Sequence, residues 1–123
     1  SIAHFEYVPL ASLLPHSSAL VSHGGIGTIA QALASGVPQL LMPIAYNHPD
    51  DAIRLKRMGV ADFIPPSRFT GHLLACKLRK LMGSINVSDE CSTLAKRFQG
   101  FDAIKYACEL LEELQDNTHK EMD

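Results

Sequence analysis

The residues of this 123-residue chain best suited to chemistry are consecutive: Ser22, His23, Gly24, Gly25, Ile26, Gly27 and Thr28. Glycine has no Cβ, so three glycines in five positions let backbone N–H groups come close to a ligand. His23 can give an N–H to an oxygen without carrying a fixed charge, and Thr28 adds a hydroxyl. Placed where a strand ends and a helix begins, such a run offers unpaired N–H groups and the positive end of a helix dipole, which together hold an anion. The chemistry predicted is therefore phosphate binding. A plainer reading is a tight strand-to-helix turn in which His23 is merely hydrogen-bonded. A third takes Gly25 to Ala30 as the G-x-G-x-x-A form of a dinucleotide fingerprint, which expects an acid at the end of the next strand, roughly 20 residues on. That strand ends in Met42-Pro43-Ile44, and the first acids, Asp50 and Asp51, fall in the following helix.

The elements around the run have the required order. Residues 4–8 read as a short strand stopped by Pro9, and Leu10, Leu13 and Leu14 as one apolar helical turn before Pro15. Residues 19–21 form an apolar run into the glycines. Ile29, Ala30, Leu33 and Ala34 then recur at helical spacing until Gly36. Residues 37–44 look like a strand buried on both faces, residues 50–58 like a helix closed by Gly59, and residues 60–64 like another strand. From Thr70, a good N-cap, the chain is predicted helical to Gly83, then over residues 88–98 and 101–114. This pattern predicts an α/β fold: an open, mainly parallel sheet of about four strands with C-terminal helices. Residues 1–114 form one unit, and residues 115–123 a polar tail expected to fray.

Composition bounds the partners. With 46% hydrophobic and 20% charged residues and a formal net charge of −2, the chain supports one core. It has no basic excess for DNA or RNA. Cys76, Cys91 and Cys108 are odd in number and widely spaced, which suits buried thiols in a reducing, cytoplasmic setting. No stretch approaches the roughly 18 to 20 apolar residues of a membrane span. The histidines and cysteines lack metal-ligand spacing, so no metal or cofactor is expected.

The run from Val21 to Ala61 combines H-G-G-x-G-T, a helix, G-V-P, an apolar strand ending in proline, and the polar pair Asn47-His48. It resembles the donor-binding signature of the UDP-glycosyltransferase superfamily, particularly the bacterial members related to sterol and macrolide glycosyltransferases. The segment F-E-Y-V-P-L-A-S-L-L-P ahead of it is similar too. The resemblance implies a partial Rossmann-like sheet within the C-terminal domain of a GT-B fold, with a nucleotide-sugar, a UDP-sugar by analogy, as donor. It implies that His23, Gly24, Gly25, Gly27 and Thr28 bind the donor diphosphate, and that Tyr7, Val8 and Pro9 lie near the base. It places Gln31 at the ribose, and Asn47 and His48 at the sugar.

Two positions depart from the family pattern. Gln31 stands where many members place a ribose-binding glutamate, and Asn47-His48 where Asp-Gln is usual. Both keep hydrogen-bonding capacity and remove a carboxylate. The resemblance further implies an inverting transfer to an acceptor hydroxyl, with the acceptor site and the catalytic base on an N-terminal domain that this chain lacks. No catalytic residue is therefore assigned here, and His16 and His72 read as loop or helix-end residues. Because the chain begins at Ser1 in mid-fold, we expect a domain fragment that is inactive alone and self-associates as a homo-oligomer through uncovered surface. A stand-alone donor-binding subunit and a non-catalytic nucleotide-binding module are the alternatives.

Overall fold

The computed structural model describes residues 1–122, with side chains through residue 115. Its sheet has three short parallel strands, β1 (Leu20–Ser22), β2 (Gln39–Leu41) and β3 (Ala61–Phe63), in the order β1-β2-β3. The helices are α1 (Leu10–Leu13), α2 (Ile26–Ser35), α3 (His48–Arg57), α4 (Gly71–Met82), α5 (Ile85–Phe98) and α6 (Ala103–Met122). Short 3-10 turns lie at Leu14–His16 and Pro66–Arg68.

The middle strand explains the layering. All three residues of β2 are buried, because helices cover both faces of the sheet. Leu41 packs with Ile29 of α2, Ala52 and Leu55 of α3, and Cys91 of α5. Leu40 points the other way, to Ile64 and to Leu81, Leu73, Leu74 and Leu78 of α4. With α2 linking β1 to β2 and α3 linking β2 to β3, parallel crossovers of one hand put both helices on the same face. Leu14, Ala32 and Val37, with Leu10 and Leu20, fasten α1 and the turn after it onto α2.

Local chemistry sets the helix ends. Gly36 takes φ 70° and its N–H bonds the carbonyls of Ala32 and Leu33, the left-handed stop that glycine makes without strain. Thr70 Oγ1 accepts from the Leu73 N–H and Ser84 Oγ from the Val87 N–H, each at 3.3 Å. Asp102 Oδ1 accepts from the N–H groups of Ile104 and Lys105 at 3.1 and 3.0 Å.

Five expectations are corrected. Residues 4–8 form no strand, so the sheet has three strands rather than about four; strand-like composition alone does not supply the ladder bonds that pairing makes. Helix α3 begins at His48, earlier than residue 50, since Pro49 is compatible with a first helical turn. Helix α5 begins at Ile85, earlier than residue 88, because Ser84 supplies the cap. Of the three thiols only Cys91 is buried, whereas Cys76 and Cys108 are exposed. Helix α6 also continues past Leu114, where the apolar pattern stops, to Met122. Among the described residues no helix is long and apolar enough to cross a membrane.

Candidate functional site

The glycine run lies at the carboxyl end of β1, where ligands of open parallel sheets collect. Ser22, the last strand residue, accepts from the Met42 N–H at 2.8 Å, which fixes the exit of β1 beside that of β2. Gly24 then turns the chain with φ 90°, a conformation side chains resist. Its N–H donates to Ser22 Oγ at 3.3 Å. Gly25 is the N-cap of α2, and the Ile29 N–H makes the helix's first bond to its carbonyl at 2.9 Å. The N–H groups of Ile26, Gly27 and Thr28 precede that bond, and among the described residues no side-chain cap bond is made there. A Cβ built on Gly27 meets nothing within 4 Å. The start of α2 is thus a row of donors under open space, which is the geometry of an anion site.

A second loop arrives from β2 at the same edge. The His23 and His48 rings stand 5.1 Å apart between centroids, tilted by 50°. Tyr46, two residues before His48, takes a left-handed conformation, φ 58°, with its ring edge-on to His48 at 6.4 Å. The Asn47 amide donates to the Asp51 carboxylate one turn into α3. His48 Nδ1 is enclosed and has no hydrogen-bond partner among the described residues. The His23 ring lies over Gly25, where a Cβ would stand 3.1 Å from Nε2.

The residues implied for base and ribose also meet. Tyr7, Val8, Pro9 and Gln31 line one open pocket of about 310 Å³ with Leu10 and Ala11. Gln31 follows Gly27 by one turn, so both lie on one face of α2. That face joins the two halves of the site: glycine loop and histidines at one end, Tyr7 to Pro9 at the other. Tyr46 was absent from the sequence reading. Its only signal there was an aromatic residue between a strand end and a helix start.

Away from this edge, Asp62 ties α3, β3 and α4 together. Lys56 Nζ and Lys77 Nζ reach its two carboxylate oxygens at 2.9 and 2.6 Å, and the Phe63 N–H donates at 2.9 Å. Burial pushes this carboxyl upward, but the bonds from Lys77, Lys56 and Phe63 outweigh it and hold Asp62 below the ordinary carboxylate value. Among the described residues no group of three or more His, Cys, Asp or Glu side chains gathers as a metal site.

A parallel α/β sheet with an uncapped helix start and a glycine turn at its carboxyl edge defines a Rossmann-like domain suited to phosphate-bearing ligands. Residues 1–100 match the family described as Erythromycin biosynthesis protein CIII-like, C-terminal domain, and the chain belongs to that family. It is 36% identical over 102 residues to O-mycaminosyltylonolide 6-deoxyallosyltransferase of Streptomyces fradiae, covering 82% of this chain and 24% of that enzyme. It is 32% identical over 111 residues to aclacinomycin-T 2-deoxy-L-fucose transferase of Streptomyces galilaeus, covering 89% and 25%. Among solved structures it resembles the spinosyn forosaminyltransferase SpnP, with TM-score 0.85, 25% identity, and 92% and 31% coverage. It also resembles the glycosyltransferase VinC in complex with dTDP, with TM-score 0.84, 27% identity, and 92% and 29% coverage. These neighbours are GT-B glycosyltransferases. The chain spans about a quarter of the length of the curated relatives it matches.

Proposed function

We propose that this chain is the donor-binding part of an inverting glycosyltransferase, holding a nucleotide-sugar whose hexose passes to an acceptor hydroxyl. The observation that carries the reading is the start of α2: uncapped N–H groups at Ile26, Gly27 and Thr28, open space above Gly27, and His23 alongside. The diphosphate rests there, on Gly24, Gly25, Gly27, Thr28 and His23. Gln31 bonds the ribose hydroxyls, and the pocket at Tyr7, Val8 and Pro9 takes the base. Asn47 and His48 stand at the opposite, sugar end. Residues 1–114 make up the donor-binding unit.

In the reaction, a base outside this chain takes the proton of the acceptor hydroxyl, whose oxygen attacks the anomeric carbon as the bond to the diphosphate breaks. Negative charge gathers on the departing diphosphate. Preorganised N–H donors at the start of α2 stabilise that charge more in the transition state than in the bound donor, which is how they accelerate transfer. The acceptor belongs to a domain outside this chain, so the chain by itself binds donor without transferring sugar. Exposed free thiols at Cys76 and Cys108 fit a reducing, cytoplasmic setting.

Uridine is the nucleoside that the signature suggests. A thymidine donor is the second reading, favoured by the structural likeness to VinC, whose structure is described in complex with dTDP. Calorimetry on the chain tests the site. UDP is expected to bind more tightly than UMP, and dTDP against UDP then decides the base. Equal affinity for UDP and UMP would remove the assignment of residues 23–28 to the diphosphate.

A further inference from the structure

The loop after β2 brings to the site one side chain whose role follows from its surroundings. His48 opens α3, yet the backbone there has little to offer an anion. The His48 N–H already donates to the Ala45 carbonyl at 3.2 Å, Pro49 has no N–H, and Asp50 and Asp51 place carboxylates in the first turn. Asn47, the other polar side chain of the pair, is held by Asp51. Of the loop's remaining donors, the Tyr46 hydroxyl belongs to a side chain that is 95% exposed, whereas the His48 imidazole stands 5.1 Å from His23 at the glycine loop, so His48 is the loop's best-placed phosphate ligand.

That ring is set up as a donor. Nδ1 is enclosed with no acceptor facing it. A buried N–H without a partner is costly, so the neutral ring keeps its proton on Nε2. Tyr46, edge-on at 6.4 Å, and His23, at 5.1 Å, flank the ring. His23 is itself exposed, so burial of apolar surface does not account for the approach of the two imidazoles.

We propose that His48 is a second ligand of the nucleoside diphosphate, pairing with His23 so that the leaving group is gripped by one imidazole from each of two strand ends. The inference rests on the donor-binding reading above and moves His48 from the sugar hydroxyls to the diphosphate. Sugar contact and phosphate contact differ in one respect that can be measured. A residue that touches only the sugar leaves the affinity for UDP unchanged.

The test is calorimetry of this chain with UDP, UMP and inorganic pyrophosphate, comparing wild type with His48→Phe and His48→Gln. Phenylalanine keeps a ring against Tyr46 and His23 but has no N–H, and glutamine keeps an N–H donor. His48→Phe is expected to weaken UDP and pyrophosphate roughly ten- to a hundredfold, the loss of a bond to a charged oxygen. UMP is expected to change less than about twofold by the same reasoning, and His48→Gln to recover part of the UDP affinity. Circular dichroism checks that both variants fold. If UDP affinity survives in both variants while Gly27→Val abolishes it, the proposal is overturned and the donor site stands. If wild type binds UDP no better than UMP, the site reading falls, and this inference with it.

Discussion

Replacing Gly27 with alanine separates what the loop does for the fold from what it does for a ligand. Gly27 lies in the first turn of α2, and an added Cβ there meets nothing within 4 Å. The protein therefore suffers no clash. Alanine is favoured over glycine in a helix by about 0.5 to 1 kcal/mol, because it freezes less backbone freedom on folding. Stability should rise by up to that amount, which corresponds to roughly 2 to 6 °C in melting temperature for a domain of this size. The methyl group, however, enters the open space at the first turn of α2, where a bound anion would approach the N–H groups. Losing one hydrogen bond to a charged oxygen costs about 1.5 to 3 kcal/mol, or roughly ten- to a hundredfold in affinity. The two effects have opposite signs, so general damage cannot imitate the pair. Thermal melting followed by circular dichroism gives the first, and calorimetry with UDP the second. Unchanged UDP affinity in a stabilised variant would make the loop only a turn. A stability loss above about 1 kcal/mol would refute the open geometry at Gly27.

Three further outcomes follow from the packing. Asp62→Asn removes the carboxylate shared by Lys56 and Lys77 and should cost about 1 to 3 kcal/mol at pH 7. The folded carboxyl is held low, so its stabilisation is present above the unfolded value and is lost as pH falls through the folded one; the cost should shrink below about pH 4. Urea unfolding at pH 7 and pH 3 checks this, and an equal cost at both would contradict it. Iodoacetamide should label exposed Cys76 and Cys108 in the native chain and spare Cys91, whose thiol burial and neighbouring Glu90 push up; mass spectrometry reads the sites, and early Cys91 labelling would contradict the core. Exposed Phe101, Ile104 and Leu111 in and beside α6 should drive self-association of the isolated chain, seen as a mass above the monomer in light scattering and reduced by Ile104→Glu with Leu111→Glu. A monomer at high concentration would contradict it.

The parts of the fold legible in the sequence are those set by neighbouring residues. Gly36 marks the end of α2 and Thr70 the start of α4, because each cap is a local hydrogen-bonding event. The consecutive apolar residues Leu40 and Leu41 announce a strand covered on both faces. Residues 4–8 have strand composition but no strand partner, and pairing is not a property of one segment. The exposure of Cys76 and Cys108 was hidden for a similar reason: helical periodicity identifies an apolar face without saying what covers it.

The site divides along the same line. The glycine run's residue types alone suggest phosphate binding, and α2 follows it directly. That Gln31 shares a pocket with Tyr7, Val8 and Pro9 depends on α1 packing against α2, which no spacing records. The approach of His48 to His23 depends on β1 and β2 being neighbours and on α3 starting at His48. The left-handed Tyr46 that aims the second loop is equally invisible, since aromatic residues give no sequence sign of a positive φ.

The central claim is that the start of α2 holds the diphosphate of a nucleotide donor, and the most direct measurement follows its backbone amides by NMR. Titration of the chain with UDP should shift the N–H signals of Ile26, Gly27 and Thr28 and the ring signals of His23, saturating together, while UMP at equal concentration moves them less. Signals that stay in place while UDP binds elsewhere, for instance beside Lys56 and Lys77, would contradict the account.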